Sequence, residues 1–306
     1  MKTKEITRRQ FIKSTAVLAG TVLTSCQVRQ SSKESPKRTA GDQVTLGKTG
    51  LKLSRLGIGT GSNSGRTQRD LGPEKFNRLI RYGYERGITY IDTADSYKTH
   101  KMVGDAIKPL PREKLFIQTK MMGVPEKPLE TIDRYRRELN VDYIDSLLVH
   151  CVVNGQWDQN RKPLLDAFEE AKQKKIILSH GVSCHSLQAT SQAAQLDWVD
   201  VNLVRVNPQG VNIDTLVERW DAPSGPSHVA AVIEQLKIMR KNRHGVIGMK
   251  IIGDGDFVKP EDREKSIRFA MQCGLLDAIV IGFKDTAQID EAIRRINSAL
   301  ADSPTS

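Results

Sequence analysis

Asp92, Tyr97, Lys120 and His150 are the residues whose types and spacing suit proton transfer. Asp92 lies in the short apolar run 90–93, and Tyr97 follows in a polar loop. Lys120 ends the run 115–120, and His150 ends the run 144–150. Each has a plain structural explanation: a capping aspartate, a half-buried ring, a solvated lysine, a hydrogen-bonded core histidine. Placed at corresponding ends of adjacent strands, the four converge on one pocket. A phenol, with a pKa of about 10, is a poor acid near neutrality unless something favours its phenolate. A nearby ammonium does so, a carboxylate keeps that ammonium charged and oriented, and an imidazole can orient a carbonyl. The set suits protonation of a carbonyl oxygen while a hydride reaches the carbon.

The elements that must position these residues alternate regularly from Val44 onward. Residues 44–46 and 51–53 flank glycine turns and read as a small hairpin. Strands are expected at 54–59, 90–93, 115–120, 144–150, 177–183, 199–206, 245–250 and 278–282. Helices are expected at 73–86, 101–107, 128–139, 163–174, 187–195, up to 241, 260–272 and 286–300. Several strands are continuous apolar runs, as parallel strands buried on both faces require. Eight such units in 306 residues predict an α/β fold, a (β/α)8 TIM barrel with an N-terminal β-hairpin over the mouth opposite the site.

The first 26 residues are of another kind. Arg8-Arg9-Gln10-Phe11-Ile12-Lys13 precedes a mildly apolar run, and Leu23-Thr24-Ser25-Cys26 closes it. This order resembles a twin-arginine (Tat) export signal ending in a lipobox, with Cys26 as the lipidated residue. Residues 27–43 are polar and without periodicity, a disordered tether. The barrel is expected at 44–300, with a short tail at 301–306. The expected location is therefore the cell envelope, through the Tat machinery, with a lipid anchor to a membrane. Much of the formal +11 charge sits in the signal and tether, and no basic run is interleaved with aromatics. Nucleic-acid binding is not expected. Without Cys26, the remaining Cys151, Cys184 and Cys273 form no disulfide framework.

The body from about Val44 to Leu300 resembles the aldo-keto reductases. Asp92, Tyr97, Lys120 and His150 match that family's catalytic tetrad, and the stretch from Leu46 to Thr60 is similar to its opening. Gly181-Val182-Ser183 resembles its fifth-strand cofactor motif, and the stretch from Ile281 to Glu291 its closing segment. The resemblance implies a nicotinamide cofactor and a small-molecule carbonyl or alcohol substrate, with Tyr97 as general acid/base. It implies cofactor contacts at Gly59, Thr60, Asp92, Ser183, Met249, Lys250, Gly282, Lys284 and Gln288. Lys284 would favour the 2′-phosphate of NADP(H). The chain departs from the family where Cys184, Leu203, Arg205 and Met249 stand at usual cofactor-contacting positions.

Two other readings remain open. One is an exported barrel that binds a cofactor or ligand without turnover. The other is an enzyme that keeps its dinucleotide and cycles it between two substrates. A metal site is not expected. His150-Cys151 and Cys184-His185 are adjacent pairs, and strand alternation would turn one member of each away from the pocket.

Overall fold

The computed structural model describes residues 38–302. The expected signal with Cys26, most of the tether and residues 303–306 lie outside the described residues. Strands β1 (Gln43–Thr45) and β2 (Lys52–Ser54) pair antiparallel as the hairpin. Then come β3 (Leu56–Gly59), α1 (Arg66–Arg69), α2 (Gly72–Glu85), β4 (Tyr90–Asp92), α3 (His100–Ile107) and β5 (Phe116–Met121). The chain continues through α4 (Pro128–Leu139), β6 (Ser146–Val152), α5 (Trp157–Asn160), α6 (Lys162–Gln173), β7 (His180–Cys184), α7 (Leu187–Gln195) and β8 (Val201–Arg205). It ends with α8 (Val229–Lys241), β9 (Gly245–Met249), α9 (Pro260–Gln272), β10 (Ala278–Gly282) and α10 (Thr286–Ala301). Strand β10 pairs with both β9 and β3, so the eight parallel strands close into a barrel.

Two apolar layers explain why continuous apolar runs became strands. Ile58, Ile91, Ile117, Leu147, Val149, Val182 and Val204 pack outward under the helices. Leu46 and Leu53 of the hairpin pack with Tyr90, Phe116, Leu148, Val201, Leu203, Ile247 and Val280 inside the barrel. The hairpin therefore plugs the mouth opposite the strands' C-terminal ends. Alternation along each strand carries the inner row upward from Tyr90 to Asp92, and from Phe116 through Gln118 to Lys120. Gln118 Nε2 joins these levels, donating to Tyr90 Oη at 2.8 Å and to Asp92 Oδ1 at 2.9 Å.

Three boundaries differ from expectation. The folded body begins before Val44: Ala40 is buried, its N–H donates to Asn297 Oδ1 at 2.8 Å, and its carbonyl accepts from Leu56 N at 3.0 Å. Residues 38–43 read as tether from their polarity, yet they are stitched between α10 and β3. The last helix likewise takes in Ala301. Strand β6 does not stop at His150 but runs to Val152, with a register shift between Val149 and Val152.

Candidate active site

Lys120 Nζ is fully buried and donates to both Asp92 carboxylate oxygens, at 2.6 and 2.7 Å, and to the Thr93 carbonyl at 2.8 Å. Burial lowers the lysine's pKa and Asp92 opposes that shift. The same Nζ lies 4.9 Å from the centroid of the Tyr97 ring. Tyr97 Oη is 3.4 Å from His150 Nε2, and His150 Nδ1 is 3.3 Å from Ser96 Oγ. The four expected catalytic residues are thus in one place.

Their electrostatics differ from the expectation in one respect. The Tyr97 phenol is held well above its ordinary pKa, first by burial and then by the Asp92 carboxylate, with Cys151 and Asp254 adding to it. With Asp92 at contact distance, the Lys120 ammonium does not outweigh these effects while the phenol keeps its proton. Tyr97 is therefore a protonated donor at neutral pH. His150 is pushed down to about 3, by burial first and then by the charges of Lys120 and Arg161, so it is a neutral imidazole.

That shift makes a prediction about stability. Unfolded, His150 takes up a proton near its ordinary pKa of about 6.5, whereas folded it stays neutral to about 3. Between those values the unfolded chain holds the extra proton. Stability is complete above the unfolded pKa and falls with pH by about 1.4 kcal/mol per unit for this group. His185 and His244 are displaced in the same direction, each mainly by burial. The thermal midpoint is expected to fall steadily from about pH 7 to about pH 4, and less steeply in His150→Gln. Equal slopes in the two proteins would refute this.

A cleft of about 470 Å³ leads away from the tetrad. Gly59, Asp92, Tyr97, Met249, Lys250, Gly282, Lys284 and Gln288 all line it. Thr60 and Ser183, expected to contact cofactor, do not. The Thr60 hydroxyl is buried and bonded to Thr99 Oγ1 at 2.9 Å, and Ser183 Oγ lies 3.5 Å from His185 Nε2. Lys250 Nζ pairs with Asp254 at 2.8 Å. At the far end the Lys284 N–H donates to Gln288 Oε1 at 2.9 Å, while the exposed ammonium has no ion pair among the described residues. The groove suits a dinucleotide because its floor carries no side chain at Gly59 or Gly282. A Cβ on Gly282 would collide with Ser62 Oγ.

Several contributors were not foreseen. A Cβ on Gly61 would lie 2.5 Å from the Tyr97 ring, so only glycine leaves that ring its place. Arg69 donates to the Tyr97 carbonyl and fixes the loop. Arg263 and Arg295 line the far end of the cleft, both paired with Glu291 at 2.9 Å. The glycine cluster 59–65 was the available signal for the first of these; nothing in the sequence pointed to the others.

The expectation that alternation separates His150 from Cys151 is corrected. Cys151 has φ +54°, and the register shift around it brings its Sγ to 3.7 Å from His185 Nδ1. Cys184 does pack outward, in the layer under the helices. Arg205 uses its guanidinium structurally: it donates to Asp214 at 2.6 Å, to the Trp220 carbonyl at 2.8 Å and to the His185 carbonyl at 2.7 Å. This ties the loop 207–227 to the end of β7. Asp95, His100 and Glu138 form a carboxylate–imidazole group beside the site, but Arg134 bridges both carboxylates, at 2.9 and 2.8 Å, and already supplies the cation.

A closed eight-stranded barrel carrying Asp, Tyr, Lys and His at neighbouring strand ends, above a long groove, defines a narrow class. The Aldo/keto reductase family profile matches residues 55–267, and the chain belongs to that family. It is 32% identical over 176 residues to "Probable aldo-keto reductase 1" of Glycine max, covering 51% of each chain. It is 31% identical over 135 residues to 9,11-endoperoxide prostaglandin H2 reductase of Trypanosoma cruzi, covering 42% of this chain and 45% of that one. The chain spans about half the length of these curated relatives. A longer match, 25% over 241 residues, is to methylglyoxal reductase DkgA of Salmonella typhimurium, covering 74% of this chain and 78% of that one. Among solved structures, an aldo-keto reductase of Bacillus halodurans in holo form superposes with TM-score 0.66 at 18% identity, covering 87% of this chain and 92% of that one. That likeness concerns the fold.

Proposed function

We propose that this protein interconverts a carbonyl (of an aldehyde, ketone or sugar) and an alcohol by hydride transfer, with Tyr97 as general acid/base. The observation that carries this is the junction of Tyr97, Lys120, Asp92 and His150 at one end of the cleft. A nicotinamide cofactor bound in the cleft would supply or accept the hydride. The substrate oxygen is held between Tyr97 Oη and His150 Nε2, whose 3.4 Å separation lets one oxygen accept from both. As negative charge develops on that oxygen, the Tyr97 proton moves to it. Lys120, fixed by Asp92, stabilises the phenolate that remains. Asp92, Lys120 and His150 are buried and Tyr97 is half-buried at the cleft, so a substrate seated there covers the phenol and displaces water that would compete for the proton.

NADP(H) is the preferred cofactor in this reading, since Lys284 offers an unneutralised ammonium at the far end of the cleft. The protein acts in the cell envelope, exported by the twin-arginine route and anchored through Cys26. Cys26→Ser should move it from the membrane fraction to the soluble one, and an unchanged distribution would end the anchor proposal. For the enzyme, NADPH and NADH are titrated into the purified protein after any cofactor carried through purification has been assayed. Tight binding of NADPH with aldehyde-dependent oxidation supports the proposal. No binding of either nucleotide would defeat it, and retained nucleotide would favour cycling between two substrates.

A further inference from the structure

Cations around the tetrad fall into two kinds. Lys120 is paired with Asp92, Lys250 with Asp254 and Arg205 with Asp214, at 2.6, 2.8 and 2.6 Å. Arg161 is different. It follows α5 in the loop that leaves β6, the strand carrying His150 and Cys151. Its backbone is fixed: its N–H donates to the Trp157 carbonyl at 3.0 Å, and its carbonyl accepts from Leu164 N at 2.8 Å and Leu165 N at 3.1 Å. Trp157 is itself buried, with Nε1 donating to the Ala189 carbonyl at 3.3 Å. Yet Arg161, half-buried as a residue, has its Nη1 buried with no hydrogen-bond partner, and its side chain forms no ion pair among the described residues. A buried guanidinium nitrogen without an acceptor is costly, and arginine's planar fork fits two oxygens of one anion.

Its neighbours do not supply that anion. The Cys151 thiol is pushed up, mainly by burial, and so stays protonated and neutral. His150 is neutral as well, with Arg161's charge the least of the three causes of its lowered pKa. The loop that carries Arg161 leaves the C-terminal end of β6, the end of the barrel that holds the tetrad. Arg161 thus offers an unpaired positive charge in the loop after the strand of His150, outside the lining of the groove assigned to the cofactor.

We propose that Arg161 is a specificity-determining residue that binds an anionic group of the substrate, a carboxylate or a phosphate monoester, carried a few bonds from the carbonyl. The proposal rests on the carbonyl-reductase reading of the site. It gives the substrate a class, small acidic aldehydes or ketones and the corresponding hydroxy acids or phosphorylated alcohols.

The test compares matched substrates with NADPH: succinic semialdehyde against butanal, and glyceraldehyde 3-phosphate against glyceraldehyde. The wild type is expected to prefer the acidic member of at least one pair by about tenfold or more in kcat/KM, chiefly through KM. Which pair responds tells carboxylate from phosphate. Arg161→Gln should cut the preference by about tenfold, and Arg161→Lys should keep part of it. Because each ratio is taken within one protein sample, partial misfolding does not distort it. No wild-type preference, or a preference unchanged in Arg161→Gln, overturns the proposal while the reductase reading stands. If no aldehyde is reduced, that reading fails, and calorimetric titration of succinate and of inorganic phosphate decides the anion site separately. Binding lost in Arg161→Gln retains the site, and absence of wild-type binding overturns it.

Discussion

Tyr97→Phe is expected to lower kcat by about a thousandfold or more, while cofactor affinity stays within a few-fold of wild type. The substitution removes one oxygen whose polar contact is His150 Nε2 at 3.4 Å. It keeps the ring that Gly61 accommodates and over which the Lys120 ammonium lies. Neither of the phenol's tetrad neighbours His150 and Lys120 can take over as acid near neutrality. His150, held down to about 3, carries no proton to give as an imidazolium, and Lys120 directs its ammonium at Asp92 and the Thr93 carbonyl. The loss should therefore lie in the chemical step, seen as a slow single turnover with NADPH at saturation. Fluorescence titration of the cofactor would show affinity nearly unchanged. Turnover within tenfold of wild type would remove Tyr97 from the mechanism.

The parts of this site that are legible in the sequence are those that follow from the period of two. Once Tyr90 and Phe116 are read as inward-facing, Asp92 and Lys120 must also face inward, and both do. His150 follows from Leu148 by the same rule. The rule fails one residue later. Val149-His150-Cys151-Val152-Val153 contains no glycine or proline to announce a bulge, and the positive φ falls on a cysteine. The meeting of His185 with Cys151 is therefore hidden from any reading that treats both as members of alternating pairs. The start of the body is hidden for another reason. Thr39-Ala40-Gly41-Asp42 has no apolar periodicity, and its order comes from long-range hydrogen bonds to α10 and β3. Arg161 is invisible because what singles it out is the lack of a partner, which no spacing encodes. Leu203 and Arg205 look, in the sequence, like damage to a cofactor site. In the fold, Leu203 fills the inner apolar layer and Arg205 holds the loop 207–227.

Lys120→Met is expected to have two separable consequences, one for stability and one for catalysis. Removing the ammonium leaves the Asp92 carboxylate buried, with Gln118 Nε2, at 2.9 Å, as the one remaining side-chain donor among the described residues. Breaking one partner of a buried ion pair typically costs about 3–5 kcal/mol, mostly the penalty of the charge left behind. Adding Asp92→Asn removes that charge and should return much of the loss, because a neutral amide beside methionine needs no counter-ion. Catalysis should not return with it. The phenolate formed when Tyr97 gives up its proton loses the ammonium 4.9 Å from its ring, and a neutral amide cannot replace a positive charge. Both variants are thus expected to turn over about a hundredfold or more slower than wild type, although the double variant folds far better. Denaturant melts and single-turnover rates on the single and double variants give the full cycle. If turnover recovered along with stability, Lys120 would be a scaffold for the fold, and the phenolate would have to be stabilised by some other group.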